Sequence, residues 1–315
     1  MNKIKSVTTV ALISIVALSI TGCGGSGGSS SNTRDAVVTG FQDSIATANA
    51  NTDSIVQSNA GTTVATSKTD LVFTNGAAGT EVTFTSADVI PPDVPSSNSL
   101  ALPSNYNNGE VITRKGYEKT VNGDTFVVGE VLITYDENDA NGYLSLGIWV
   151  FDSNDALTEL GVFAGGGDRF TQANLAGLTG TASYSGEAGG LVVDNDNGRA
   201  LEGNLSLAAN FDDNTISGAV TGITATDVDT DVSEDIADTL NLNSASIDTS
   251  VIGGAWTGTT SFTDETGRYT GNWGGQFLGN GASATDNPEY AVGTFSLQGS
   301  GDDNFVAGVF HAKKN

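Results

Sequence analysis

The stretch that most limits what this chain can become is its last fifth, Gly253 to Asn315, where side-chain character alternates with period two and glycines recur inside the alternating runs. Tyr269, Gly271, Trp273, Gly275 and Phe277 fall on one face of an extended strand, and Thr270, Asn272, Gly274 and Gln276 on the other. Phe305, Ala307, Val309 and His311 alternate in the same way with Val306, Gly308, Phe310 and Ala312. Sustained alternation of this kind marks an antiparallel strand. Glycines within the strands, and not only between them, point to the tight bends of a small closed barrel.

The same texture begins at Glu110. DTFVVGEVLITY (124–135) sets Val127, Val131, Ile133 and Tyr135 on one face, and YLSLGIWVF (143–151) is apolar on both faces at its end, which predicts a well-buried strand. Further strands are expected at 116–121, 157–164, 180–186, 191–193, 201–211, 215–223 and 240–247, with Asp196-Asn197-Gly198 and Asp212-Asp213-Asn214 as hairpin turns. No helical pattern interrupts them. The C-terminal part therefore reads as all-β, an antiparallel sandwich or barrel.

The 315 residues suffice for one large or two small domains, and 38% hydrophobic content suffices for a barrel core of modest thickness. A formal charge of −25 sets the chain against nucleic acid and anionic lipid surfaces, both of which would repel it. Cys, Met and His occur once each. A disulfide framework and a multi-cysteine metal site are thereby excluded, His/Met haem ligation is reduced to what one histidine can do, and no motif implies a cofactor.

At the N-terminus, Lys3 and Lys5 precede the apolar run Val7 to Ile20, which is shorter than the ~20 apolar residues a membrane span needs. The run ends in Ile20-Thr21-Gly22-Cys23, which resembles the lipobox of bacterial lipoproteins. This implies a signal peptide over 1–22 and an acylated, palmitate-type anchor on Cys23, followed by a Gly/Ser tether over 23–32. Gly24, where an Asp would signal inner-membrane retention, points to the outer membrane. The G-x-S-x-G match at 24–28 is discarded, because a nucleophile elbow needs a strand-to-helix turn on a packed sheet. Residues 33–109 read as a polar, partly disordered accessory segment. Weak helical spacing runs over 34–56, a hairpin is expected from Leu71–Phe73 and Val82–Phe84, and Pro91, Pro92 and Pro95 break the pattern.

No catalytic set is legible, and His311, alone of its type, reads as a structural or surface histidine. Asp227, Asp229, Asp231 and Asp238 have the spacing of a calcium loop, but Val232 stands where the turn wants Gly, and Asp238 where a bidentate Glu is usual. Trp149, Trp256, Trp273, Tyr269, Phe277 and Phe295 are placed inside the barrel, as core packing by default and as a cavity lining otherwise. Partner contacts are assigned to loops, with Arg169, Arg268 and the stretch Leu278 to Ala282, including Asn280, as candidates.

YLSLGIWVF, LGVFAGGGDRF, LTGTASYSGEAGG, GNLSLAANFDDNTISGAVTGI and GNWGGQFLGNGA, with the VFHAKK ending, resemble the barrel domain of transferrin-binding protein B-like surface lipoproteins. The resemblance covers residues 110–315, with one barrel where the full-length family pattern has two lobes. It implies an eight-stranded antiparallel up-and-down barrel with a strand-containing N-terminal segment, held at the outer membrane by lipid. It also implies a non-enzymatic role: binding a protein or small solute, in some relatives for iron- or haem-related uptake, with an outer-membrane transporter as a further partner. The alternative is a structural or protective envelope lipoprotein without cargo.

Overall fold

The computed structural model describes residues 44–45, 54–57, 62–75, 80–90, 110–121, 124–139, 141–153, 156–167, 170, 172–194, 197–227, 230, 232–236, 238–251, 253–264, 267–279, 287–299 and 304–315. The lipobox and tether lie outside these residues.

The N-terminal half is a handle of two stacked sheets. One contains β1 (Ser44–Ile45), β2 (Ser54–Gln57), β6 (Val89–Ile90), β7 (Val111–Val121), β8 (Asp124–Thr134), β9 (Tyr143–Ser153) and β10 (Ala156–Gly166), in the order β1-β2-β10-β9-β8-β7-β6. The other contains β3 (Thr62–Thr66), β4 (Leu71–Asn75) and β5 (Thr80–Phe84). The expected 71–84 hairpin forms, pairing Leu71 with Phe84 and Phe73 with Val82. Of the 34–56 stretch with weak helical spacing, the described residues Ser44, Ile45, Ser54, Ile55 and Val56 are in strands, and β2 pairs with the edge of β10; the rest lies outside the described residues.

The handle's seven-stranded sheet is apolar on both faces because both are covered. On one side Tyr117, Phe126, Val128, Trp149 and Phe163 pack on Leu71, Phe73, Val82 and Phe84 of the small sheet. On the other side Val131, Ile133, Leu144, Leu146, Ile148, Val162 and Ala164 pack on the barrel. Successive residues of a strand point to opposite faces, so DTFVVGEVLITY and YLSLGIWVF each serve two cores.

The barrel follows a short helix, α1 (Gln172–Ala176), and consists of β11 (Thr181–Asp194), β12 (Asn197–Asn210), β13 (Thr215–Asp227), β15 (Leu240–Asp248), β16 (Ala255–Asp264), β17 (Gly267–Leu278), β18 (Tyr290–Gln298) and β19 (Phe305–Lys314). The strands pair in sequence, with β14 (Ser233–Ile236) hung on β13 as an extra hairpin arm. Pairing of β19 with β11 closes the ring. It is an eight-stranded up-and-down barrel. Its boundary corrects the expectation, however: it starts at Thr181 and not at residue 110, since β7–β10 have paired into the handle. The segments read as separate strands at 180–186 and 191–193 are one, β11, running straight through Gly189-Gly190.

Among the described residues, side chains pack the barrel interior. Tyr184, Leu205, Leu207, Trp256, Phe262, Tyr269, Trp273, Phe277, Phe295 and Phe310 fill it, and Phe170, Leu175 and Leu178 around α1 close one end. Of the aromatics assigned to its interior, Trp149 is the exception and lies in the handle's outer core. Interior glycines make room for rings across the strand. Gly275 faces Trp256, Gly293 faces Phe310 and Gly308 faces Phe295, and in each case an added Cβ would overlap the ring. Outward positions such as Thr221, Asn241, Asn243, Thr259, Thr263 and Thr270 are polar and exposed. This is the reverse of a membrane-spanning barrel, which faces apolar side chains to lipid.

Candidate functional site

Handle and barrel meet over the outer face of β19, β18 and β11. Phe305, Ala307 and Val309 with Tyr290, Val292 and Leu191 form the barrel side of that contact. At one end Lys313 donates to Glu110 at 2.7 Å, the Tyr290 hydroxyl donates to the same carboxylate, and Tyr135 stacks on Tyr290 at 4.6 Å. Beside this cluster, over the outer face of β11, β12 and β13, handle and barrel leave a cavity of about 230 Å³ between them.

Two walls build this cavity. On the handle wall Arg114 of β7 stands opposite Val131 of β8, which stands opposite Leu146 of β9, and Ile112 continues the apolar surface. On the barrel wall Glu187 of β11 is paired with His311 on one side and with Asn204 on the other. Glu202 of β12 pairs with Gly189 and with Thr224. The two glutamates are thus diagonal neighbours on adjacent strands, within side-chain reach of each other. Gly222, at φ 59°, sits where β13 slips register against β12 between Glu202 and Asn204. That left-handed bulge tilts the barrel surface beneath the glutamates.

The electrostatics follow from burial. The His311 imidazole is buried, and its pKa is pushed down to about 4 by desolvation, with the Arg114 charge adding to the shift. It therefore stays neutral, its Nε2 lying 3.9 Å from Glu187 Oε2. Burial raises the pKa of both Glu187 and Glu202, Arg114 pulls both back, and the charge of Glu202 adds to the rise at Glu187. With one guanidinium facing two carboxylates and a neutral imidazole, the lining carries a formal charge of −1 when the glutamates are ionised.

His311 is thus on the barrel's exterior but covered by the handle, and among the described residues it is the one side chain weighed for chemistry in the sequence that lines this site. Arg268 is exposed beside the β16–β17 turn. Leu278 is not a loop residue. It ends β17 on the outward face and is fully buried against the handle, because the sheet covers that end of the strand. Cys23, Arg169, Asn280, Asp229 and Asp231 lie outside the described residues. Asp227 accepts from the Thr230 amide and hydroxyl, both at 2.8 Å, and so serves its own turn. The strand β14 then runs back along β13, pairing Ile236 with Ile223, and so carries the chain away from Asp227 before it reaches Asp238. Among the described residues no group of three or more His, Cys, Asp or Glu is placed to hold a metal ion.

Arg114, Glu187 and Glu202 were missed from the sequence. Each is a single charge on the outward face of an alternating strand, the usual signature of a solvated position. Only the docking of the handle distinguishes them.

No protein-family profile and no curated protein matches this chain. Among solved structures, it is similar to transferrin binding protein B. A single-substitution variant of that vaccine antigen from Haemophilus parasuis Hp5 matches with a TM-score of 0.39 and 16% identity, over 64% of this chain and 39% of the other. The isotype 1 protein from serogroup B Neisseria meningitidis matches with a TM-score of 0.38 and 18% identity, over 64% and 36%. The chain thus spans well under half the length of either structure. Identity this low says nothing of a ligand.

Proposed function

We propose that this protein is a lipoprotein tethered to the outer membrane through Cys23, and that it acts as a non-enzymatic binding protein. The observation that carries the binding role is the cleft between handle and barrel. In a molecule whose barrel is packed solid, it gathers Arg114, Glu187, Glu202 and His311 around open space. Cavities with an apolar lining and a few convergent polar groups are where small ligands bind. A hydrolytic role is less well served: Thr224 is the one hydroxyl in the lining, and a histidine held neutral down to about pH 4 is a weak general base at neutral pH. The polar barrel exterior supports attachment by a lipid and not by the barrel itself.

The test is native mass spectrometry of the protein extracted gently from the cell envelope. A stoichiometric small adduct, lost in the Glu187→Gln/Glu202→Gln double variant, is expected. A bare mass under every extraction condition overturns the small-solute reading and returns the protein to a structural role. Cys23→Ser is expected to shift the protein from the membrane fraction to the soluble fraction.

A further inference from the structure

We infer that the cleft between handle and barrel takes a ligand bearing a primary aliphatic ammonium group, with its head between Glu187 and Glu202 and its stem along Ile112, Val131, Leu146 and Val309. The inference rests on the binding-protein reading and names the ligand class at that same site.

Charge decides the sign of the ligand. With both glutamates ionised, two carboxylates share one guanidinium at the site, so one unit of positive charge completes the balance, whereas an anion would add a second uncompensated negative charge. The field of the whole chain acts the same way, since a formal charge of −25 concentrates cations and repels anions. Geometry decides the shape of the head. Glu187 and Glu202 come from neighbouring strands at diagonal positions, with Asn204 directly opposite Glu187. Two carboxylates and an amide carried at separate backbone positions on one cavity lining suit an ammonium, which has three donors that rotate freely.

The opposite wall decides the body. Ile112, Val131 and Leu146 on the handle and Val309 on the barrel are aliphatic, and they lie on the row that carries Arg114 and on the strand that carries His311. An alkyl stem laid there is removed from water while the head reaches the glutamates. The same chemistry occurs in a free alkylamine and in the side chain of an accessible lysine on a protein partner.

The test uses calorimetric titration of the full-length protein in detergent with three probes of one chain length: hexylammonium, hexanol and hexanoate. Hexylammonium is expected to bind one to one, about tenfold or more tighter than hexanol, because a charge-assisted hydrogen bond is at stake. Hexanoate is expected not to bind. Glu202→Gln is expected to weaken hexylammonium by about tenfold with the melting temperature of the fold retained, which separates lost recognition from lost structure. A blocked lysine tripeptide binding as well as hexylammonium assigns the site to a protein lysine, and hexylammonium binding alone assigns it to a free amine. Hexanol or hexanoate binding as tightly as hexylammonium, or an unchanged affinity in Glu202→Gln, overturns the inference. A native adduct in the mass spectrum with no response to hexylammonium overturns the ligand class and leaves the binding role standing. Silence in both measurements overturns both.

Discussion

Replacing Gly161 by alanine isolates the rule by which glycines admit rings into this fold. Gly161 on β10 lies directly across from Trp149 on β9. A Cβ at that position would fall 2.5 Å from each of Cε2, Cζ2 and Nε1 of the indole. Ordinary carbon contacts are about 3.5–4.0 Å, so the ring would have to move by roughly an ångström. It has little room: Trp149 is 4% exposed and meets Phe73 edge-on at 6.0 Å. Phe73 in turn is held in T-shaped contacts with Phe84 and Phe163. Overpacking of this kind costs about 1–3 kcal/mol. Alanine also stiffens the unfolded chain, which offsets about 0.4–1 kcal/mol. Gly161→Ala should therefore destabilise by about 1–2 kcal/mol, read as a lower urea midpoint in far-ultraviolet circular dichroism. In a Trp149→Leu background the indole is gone, and the same alanine should be neutral or mildly stabilising, a coupling of about 1–3 kcal/mol. Equal costs in the two backgrounds would refute the reasoning, since they would place the penalty in the backbone and not in the ring.

Two further outcomes follow from buried titratable groups. Glu130, buried in the handle, accepts from the Tyr117 hydroxyl at 2.9 Å and from Ser145 Oγ at 2.7 Å, with Lys115 Nζ at 3.8 Å. Glu130→Ala leaves two hydroxyls and an ammonium without that acceptor and should cost about 3 kcal/mol in a denaturant titration, while Glu130→Gln, which keeps an acceptor oxygen, should cost clearly less. His311 has a folded pKa near 4 against about 6.5 unfolded, so the unfolded chain binds the proton more readily. The stability that the neutral imidazole confers is present above about pH 6.5 and is lost as the pH falls towards 4, by up to about 3 kcal/mol. Glu187 and Glu202, with raised values, run the opposite way. The quantity to measure is therefore the stability of the protein minus that of His311→Gln, which should shrink across this window; a flat difference would show that His311 is not buried in its neutral form.

Alternation along single strands was enough to read the all-β class, the 71–84 hairpin, the Asp212–Asn214 turn and the opposite faces of β17 and β19, because each depends on neighbours in sequence. Asn214 indeed adopts φ 51°, a left-handed turn conformation that Asn tolerates. What a single strand does not encode is its partner. DTFVVGEVLITY and YLSLGIWVF alternate as a barrel strand would, and only the pairing of β7–β10 with β2 and β6 assigned them to the handle and moved the start of the barrel to Thr181.

The candidate site lies wholly on that second level. His311, Glu187, Glu202 and Arg114 come from four strands separated by up to 197 positions in the chain, and each taken alone is an outward-facing polar residue. The barrel's outer face would leave three of them in water. The handle sheet, by covering Val309 and Leu191 with Leu146 and Val131, removes water from one side and turns them into a cleft. The chain by itself determined strands, turns and the polar outside of the barrel, since these follow from local pattern. Burial of charge was decided by tertiary structure alone, because desolvation is a property of what a residue packs against and not of the residue itself.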